Sequence, residues 1–281
     1  MKILYAAIGV LVVLNSCIWY AVLHEERGTT LTVSFLNVGQ GDAIFVDAPS
    51  GRQVLIDGGP NRSVLRELSQ VSPWYDRSID VVIATHPDAD HIGGLVDVLN
   101  RYAVSYVLLS SVKDEEGVDA MALDRAIDAT SAQRLIAERG QVIDLGDGAF
   151  IEVLFPDRNV PHVETNTGSI VARLVYGDTS FMLTGDSPQY IEEYLVQLDG
   201  KALHADVLKA GHHGSRTSSS LLFVGFVSPE YAVFSRGCDN SYGHPHEEVA
   251  DVFSRFNTQT LDTCLDGRVT FVSDGQEVVL K

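Results

Sequence analysis

The 281-residue sequence is poor in basic residues, with 20 Lys and Arg against 38 Asp and Glu and a formal net charge of -18. A chain this acidic lacks a long-range electrostatic attraction for nucleic acid, because phosphate binding is normally driven by Lys and Arg. A phosphodiester substrate is not excluded, since a bound divalent metal ion supplies positive charge locally.

Cysteine is also scarce, at Cys17, Cys238 and Cys264 only. Cys238 and Cys264 lack the close spacing of a thiolate metal site. Outside the cytoplasm they would be able to pair. Two buried free thiols are nevertheless the interpretation that the sequence favours.

Long hydrophobic runs are limited to residues 3–23. At about 1.5 Å per helical residue, this run is long enough to cross a hydrocarbon core. Trp19 and Tyr20 are typical of a membrane interface, and Lys2 before the run predicts a cytoplasmic N-terminus. We expect residues 1–28 to form a single-pass membrane anchor and residues 29–281 one extracytoplasmic domain. A cleaved signal peptide, giving a secreted protein, and a lipoprotein are the alternatives.

The rest of the chain combines short strand patterns with amphipathic helix patterns. Residues 31–38, 42–48 and 52–59 alternate apolar and polar side chains and are separated by turn residues, which predicts strands. Residues 112–139 are charged and rich in alanine, so they predict a helical insertion or a helical layer. Runs of strands followed by helices predict an α+β fold with two sheets face to face and helices outside.

One turn concentrates residues that bind metals. The segment 84–95, ATHPDADHIGGL, brings His86, Asp88, Asp90 and His91 together between an apolar strand pattern (79–84) and a helix pattern (92–100). Imidazole and carboxylate ligands suit zinc, manganese or iron, and the absence of thiolates argues against a structural zinc site.

Further candidate ligands follow other predicted strands. Asp186 comes after the strand at 179–184, His212 and His213 follow the strand at 204–209, and His244 follows the strand at 230–234. A single residue of this kind is more often a surface residue. Together with the 84–95 turn, these residues predict an active site at one edge of the sheets.

These motifs resemble the metallo-β-lactamase superfamily, and most closely the hydrolase domain of ComEC-type competence (DNA-uptake) proteins. The matching segments are FLNVGQGDAIFV (35–46), LIDGG (55–59), THPDADHIGGL (85–95), LTGD (183–186), LKAGHHGS (208–215) and YGHPHEEV (242–249). The resemblance implies an αβ/βα sandwich, preceded here by the one N-terminal transmembrane helix, with metal ions at one edge of the two sheets.

The resemblance also implies roles for individual residues. Asp90 or Asp88 would orient the attacking water, and His213 and His244 would contact phosphate or donate protons. Asn166 and Ser169 would donate hydrogen bonds to substrate or serve only as turn residues. The implied metal ligands are His86, Asp88, Asp90, His91, Asp186 and His212, and the order of strands does not decide whether His212, His213 or His244 is the last of them.

The sequence departs from the superfamily pattern at two positions. Asp88 replaces the second histidine of the His-x-His-x-Asp-His block, and the lone histidine expected before the Asp186 strand is absent. An oxygen-richer site favours harder ions. We expect one or two divalent ions, Mn²⁺ or Zn²⁺, with Mg²⁺ as a further candidate.

These observations predict a membrane-anchored, metal-dependent phosphodiesterase or nuclease that uses a metal-activated water. Its substrate would be a phosphodiester, with DNA as one candidate. A hydrolase of an acyl substrate (a lactone, lactam or thioester) and a non-catalytic binding module are the alternatives.

Overall fold

The computed structural model describes residues 2–23, 29–114, 116–159 and 161–281. Its helices are α1 (Lys2–Leu23), α2 (Ser63–Val71), α3 (Ala89–Ile92), α4 (Leu95–Arg101), α5 (Val118–Asp128), α6 (Gln189–Asp199), α7 (Leu221–Val227) and α8 (Glu247–Arg255). Within these described ranges, no helix has the length and apolarity required to cross a membrane. The transmembrane helix predicted at residues 3–23 is therefore not confirmed, and its flank at 24–28 lies outside the described residues.

The strands form two mixed sheets. In chain order they are β1 (Leu31–Phe35), β2 (Ile44–Asp47), β3 (Gln53–Ile56), β4 (Ser78–Ala84), β5 (Ala103–Leu109), β6 (Gln133–Ile136), β7 (Val142–Gly146), β8 (Ala149–Phe155), β9 (Val171–Tyr176), β10 (Thr179–Leu183), β11 (Val207–Lys209), β12 (Tyr231–Phe234), β13 (Gln259–Asp262), β14 (Val269–Ser273) and β15 (Val278–Leu280). The first sheet has the order β15-β14-β1-β2-β3-β4-β5-β6, and the second has the order β13-β12-β11-β10-β9-β8-β7.

Each sheet contains a parallel half, and this half positions the candidate site. Strands β3 to β6 are parallel in the first sheet, and β10 to β13 are parallel in the second. Parallel strands end at the same edge of their sheet, where α/β proteins collect functional residues in the connecting loops. The predicted ligands follow β4, β10 and β11 at this edge.

Three apolar layers hold the sandwich together. The central layer lies between the sheets and includes Val33, Phe35, Phe181 and Phe271, each 0% exposed. A second cluster packs α2 to α5 against the outside of the first sheet. A third packs α6 to α8 against the outside of the second sheet. The predicted α+β sandwich of two sheets with outer helices is confirmed.

Two strands were absent from the sequence interpretation. Residues 112–139 contain the expected helix α5, but they also contain β6, whose four residues are all exposed at the sheet edge. Strand β7 pairs with β8 through an irregular register. Neither strand shows the apolar alternation of a half-buried strand, because pairing at an edge requires backbone groups rather than buried side chains.

The two C-terminal cysteines form a disulfide, which contradicts the expectation of two buried free thiols. Cys238 and Cys264 are bonded, with a Cα–Cα distance of 5.0 Å. Cys238 is exposed, and Cys264 is only partly buried. The apolar character of cysteine favoured buried thiols, but these two lie in surface loops at the ends of neighbouring strands, where the backbone brings them within bonding reach.

Candidate metal centre

The 84–95 turn presents its ligands from rigid elements. Strand β4 consists mainly of buried β-branched residues and ends at Ala84. His86 follows it directly, and the short helix α3 carries Asp90 and His91. Gly41 from the β1–β2 loop approaches this turn so closely that a Cβ at its position would lie 2.0 Å from the Asp90 carbonyl oxygen. The turn is therefore fixed by backbone packing as well as by its side chains.

Asp57, at the end of β3, clamps the same turn. Its carboxylate accepts hydrogen bonds from the Thr85 backbone N–H (2.8 Å) and the Thr85 hydroxyl (2.7 Å). It also accepts one from Nδ1 of His91 at 2.8 Å. The LIDGG segment thus supplies the outer hydrogen bond that orients a metal-binding imidazole.

The second sheet contributes Asp186, His212 and His213. Asp186 follows β10, and the two histidines lie in the turn Gly211–Gly214 after β11. His212 has φ 48° and His213 has φ 55°, a left-handed conformation that is unfavourable for residues other than glycine. Strain of this kind persists where the surroundings over-determine it, and it is concentrated at functional sites.

All of these side chains converge on one carboxylate oxygen. Oδ2 of Asp186 lies 3.3 Å from Nε2 of His91 and 3.3 Å from Nε2 of His213. It lies 3.6 Å from Nε2 of His212 and 4.0 Å from Nε2 of His86. The loops of both sheets therefore aim four imidazole nitrogens at the same point.

Two more carboxylates border this point. Oδ2 of Asp88 lies 3.7 Å from Nε2 of His86, and Oδ2 of Asp90 lies 3.3 Å from Nε2 of His213. The group formed by His86, Asp88 and His212 is called the outer half-site below, and the group formed by Asp90, His91 and His213 is called the inner half-site. Asp186 is shared between them.

The hydrogen bonds of the imidazoles leave their Nε2 atoms open. Nδ1 of His91 donates to Asp57, and Nδ1 of His213 donates to the Ser235 carbonyl at 2.8 Å. Nδ1 of His86 lies 3.0 Å from the Thr85 hydroxyl, which itself donates to Asp57. This network assigns the proton of each neutral ring to Nδ1 and leaves a lone pair on Nε2.

Buried polar atoms without partners mark the metal position. The Nε2 atoms of His86, His91 and His213 are buried and have no hydrogen-bond partner among the described residues. Buried polar groups are nearly always paired, so three orphaned nitrogens facing one carboxylate require an explanation. Divalent metal ions satisfy such nitrogens and carboxylates together. The residues present therefore fit the metal ions expected from the sequence.

The charges of the protein groups point to the same conclusion. Burial opposes a positive charge on His91 and His213, yet the pKa of each is raised well above its usual value because Asp186 and a second carboxylate lie beside it. Burial also opposes a negative charge on Asp186, but His213, His91 and Lys209 hold its pKa well below the usual value. A carboxylate field that retains protons on imidazoles also attracts a divalent cation in their place.

The structure brings in two residues to which sequence reasoning gave no role, Asp42 and Lys209. Asp42 belongs to a buried cluster with His91, Asp186 and His213 whose candidate ligand atoms all lie within 4.8 Å of one another. Lys209 is fully buried, and its Nζ lies 2.6 Å from Asp42 Oδ2. Two sequence features could have identified them: a lysine at the end of an apolar strand, and an aspartate directly after Gly-Gln-Gly.

The remaining predicted residues lie around this centre. His244 is 8% exposed, and its ring centre lies 5.9 Å from that of His212 and 6.5 Å from that of His213. Burial, together with the nearby His213 and His212, lowers the pKa of His244 to about 4. The hydroxyl of Ser169 accepts a hydrogen bond from the Asp186 backbone N–H at 3.3 Å. Asn166 lies in the turn Thr165–Gly168, and its Oδ1 is buried without a partner among the described residues.

The structure therefore brings together all six residues that the resemblance implied as ligands. His213, for which a catalytic role was expected, lies among these residues, 3.3 Å from both Asp90 and Asp186. His213 lies closer to Asp186 than His212 does, and it is 1% exposed against 26% for His212. Sequence position gave no means of distinguishing these neighbours, because their difference arises from the left-handed turn.

Comparisons with known proteins agree with the fold. The model of the metallo-β-lactamase superfamily matches residues 36–237. ComE operon protein 3 of Bacillus subtilis is 31% identical over 261 residues, covering 85% of this chain and 32% of that protein. Competence protein ComA of Neisseria gonorrhoeae is 31% identical over 255 residues, covering 89% of this chain and 33% of that protein. The chain thus spans about a third of the length of these curated relatives.

Solved structures share the fold at low sequence identity. Igni18, a metallo hydrolase from the archaeon Ignicoccus hospitalis, is 18% identical with a TM-score of 0.54, covering 85% of this chain and 98% of that chain. A diphosphatase from the PhnP family is also 18% identical, with a TM-score of 0.51 and coverages of 86% and 98%. At such identities, the likeness concerns the fold alone.

Proposed function

The chain belongs to the metallo-β-lactamase superfamily, and from that premise we propose that it is a metal-dependent phosphodiesterase acting on nucleic acid outside the cytoplasmic membrane. The observation that carries the proposal is the convergence of four imidazole Nε2 atoms on Oδ2 of Asp186. The similarity to competence proteins supports a nucleic-acid substrate. The ligands are His86, Asp88, Asp90, His91, Asp186, His212 and His213.

Bound divalent ions would supply Lewis acidity and lower the pKa of a water molecule toward neutrality. The protein contributes position. Asp90 is about one-third exposed, and its Oδ2 faces the cluster, so its carboxylate is placed to accept a hydrogen bond from the attacking water. The Asp57 clamp holds the turn that carries Asp90 and His91 in place during the reaction.

His244 acts as a phosphate contact rather than as a proton donor. With a pKa of about 4 it is neutral at pH 7, and an uncharged imidazole is a weak general acid there. Its Nδ1 is buried without a partner among the described residues. A neutral histidine that carries its proton on Nδ1 would donate this N–H to a phosphate oxygen next to the metal centre.

A cavity of about 390 Å³ opens beside His86 and supports a substrate larger than a phosphate ion. Its lining combines apolar side chains with Ser110, Lys113, Asp114, Asp124 and Arg134, and Arg134 is paired with Asp124. Small-molecule sites commonly pair an apolar wall with a few polar groups. We assign the cavity to the nucleotide that flanks the scissile phosphate.

The disulfide supports the proposed location outside the cytoplasm, with residues 1–28 as the anchor. Structural disulfides persist in oxidising compartments and are rare in the cytosol. The Cys238–Cys264 bond closes the loop that carries His244, so an oxidising compartment would keep a residue of the site in place.

The test is hydrolysis of bis-p-nitrophenyl phosphate and of single-stranded DNA by the full chain, with and without Mn²⁺. We expect Mn²⁺-dependent hydrolysis that Asp186→Asn lowers on the order of 10³-fold, the scale of removing one preorganised charge-stabilising group. The matched control is Asp178→Asn, an exposed aspartate before the same strand β10, which should leave the rate unchanged. Turnover of a lactone or thioester with both phosphodiesters untouched would reject the proposal.

A further inference from the structure

Lys209 is a fully buried ammonium inside the metal centre, and the proposed reaction gives it no role. It ends strand β11, three residues before His212, and its exposed fraction is 0%. Its Nζ donates to the Gly185 carbonyl at 2.7 Å and lies 3.3 Å from Oδ1 of Asp186 and 2.6 Å from Oδ2 of Asp42. Burial of a charge is costly unless the charge is paired, and here all three contacts are acceptors.

These contacts divide the carboxylate of Asp186 between two tasks. Oδ1 faces the ammonium of Lys209, whereas Oδ2 faces the histidine Nε2 atoms. A buried cation that holds one oxygen of a carboxylate prevents the carboxylate from rotating. The carboxylate then offers only its other oxygen to the groups on the opposite side. Asp186 is thus oriented by Lys209 toward both half-sites.

Asp42 lies on the opposite side of the histidine rings from Asp186. Its Oδ1 lies 3.3 Å from Nδ1 of His213, and its Oδ2 lies 3.8 Å from Nδ1 of His91. Its closest cation is Lys209, which occupies the space between Asp42 and Asp186 that a metal ion would need in order to bind both. Asp42 therefore supports the rings and the ammonium, although its oxygens lie near those of the ligands.

We propose that Lys209 is a positioning residue whose buried ammonium holds Oδ1 of Asp186, so that only Oδ2 of this carboxylate would be offered to metal ions. The inference rests on the proposed metal-dependent function. Without the ammonium, Oδ1 of Asp186 would be free to bind a metal ion. Asp186 would then give both oxygens to one ion, and the second ion would lose its shared ligand.

The test uses Asp42→Asn/Lys209→Met, since Lys209→Met alone leaves two buried carboxylates unpaired and endangers folding. The double variant removes one charge of each sign. Asp42→Asn is the matched control, because it keeps Lys209 on Asp186. Folding is verified by thermal unfolding, Mn²⁺ per chain is counted by mass spectrometry, and magnetic coupling between Mn²⁺ ions is followed by electron paramagnetic resonance.

We expect two coupled Mn²⁺ ions in the wild type and in Asp42→Asn, and one uncoupled ion in the folded double variant. A purely structural role for Lys209 would change the unfolding temperature without changing the ion count or the coupling. Two coupled ions in the double variant would overturn the inference and leave the proposed function intact. Absence of Mn²⁺ binding in the wild type would overturn both.

Discussion

The inner and outer half-sites use similar ligands but hold them in different ways. Each has one fully buried histidine, His91 or His86, and one carboxylate about one-third exposed, Asp90 or Asp88. Nδ1 of His91 contacts the Asp57 carboxylate and Nδ1 of His213 contacts a backbone carbonyl. Nδ1 of His86 and Nδ1 of His212 each lie at hydrogen-bond distance from a threonine hydroxyl.

This difference has a chemical consequence. A carboxylate behind an imidazole fixes its orientation and raises its basicity as a ligand, and a hydroxyl does so less strongly. The outer half-site also contains one departure from the superfamily pattern, Asp88 in place of a histidine. We therefore expect tighter metal binding at the inner half-site, and easier exchange of ligands with substrate and solvent at the more open outer half-site.

The largest loss of Mn²⁺ affinity should come from substitution of one of the two adjacent histidines, His212 and His213. We expect His213→Ala to weaken Mn²⁺ binding by more than about 100-fold, because losing a ligand should exceed the 10- to 100-fold cost typical of losing its outer partner. His212→Ala should cost less than about tenfold, since His212 is 26% exposed and water is able to replace its ring. Titration calorimetry measures both, and equal losses would abolish the distinction between the half-sites.

A smaller loss of Mn²⁺ affinity is expected when a residue that contacts Nδ1 of a histidine ring is replaced. Asp57→Asn removes the charge that orients His91 and should lower Mn²⁺ affinity by about 10- to 100-fold. The outer counterpart is Thr217→Val, which removes the hydroxyl 3.0 Å from Nδ1 of His212 and should change the affinity by less than about threefold. The comparison would be contradicted if the threonine variant lost more affinity than the aspartate variant.

A separate prediction concerns the free energy of unfolding rather than metal affinity, and it involves the loop behind the two histidines. Glu192 is buried and accepts hydrogen bonds from the backbone N–H groups of Ser219 and Ser220, both at 2.7 Å. Burial raises the pKa of Glu192 to about 7, against 4.5 for an ordinary glutamate, despite these two hydrogen bonds. The folded protein therefore keeps a proton that the unfolded chain releases.

Because the folded pKa is the higher one, Glu192 favours folding fully below about pH 4.5 and loses this contribution as the pH rises to about 7. The loss is about 3 kcal/mol on the scale of 1.36 kcal/mol per pKa unit. We expect Glu192→Gln to remove this part of the pH dependence between pH 5 and 8, as measured by chemical denaturation. An identical pH dependence in the two proteins would exclude the predicted titration.

The sequence predicted most of the fold and most of the residues that gather at the candidate metal centre, because both depend on local patterns. Alternation and apolar runs marked most of the strands, and the residues directly after β4, β10 and β11 were found as candidates. Strand β6 was missed because its side chains are exposed, and the disulfide was missed because pairing depends on where two loops meet. The contact between Lys209 and Asp42 joins residues from different sheets, which no local pattern encodes.

The choice between His212 and His213 shows the same limit at finer scale. The two residues are adjacent and have identical side chains, so the sequence alone does not show which of them faces the inner half-site. In the left-handed turn, Nδ1 of the buried His213 contacts Ser235 in the loop after β12, whereas Nδ1 of the partly exposed His212 contacts Thr217 in its own loop. Tertiary contacts therefore decide which neighbour completes the inner half-site.

The most direct test of the account is the number of metal ions per chain at saturating Mn²⁺, counted by native mass spectrometry. We predict two ions in the wild-type protein and the loss of both in Asp186→Asn, because Asp186 lies between the two half-sites. A wild-type protein that binds at most one ion, or an Asp186→Asn protein that retains two, would contradict it.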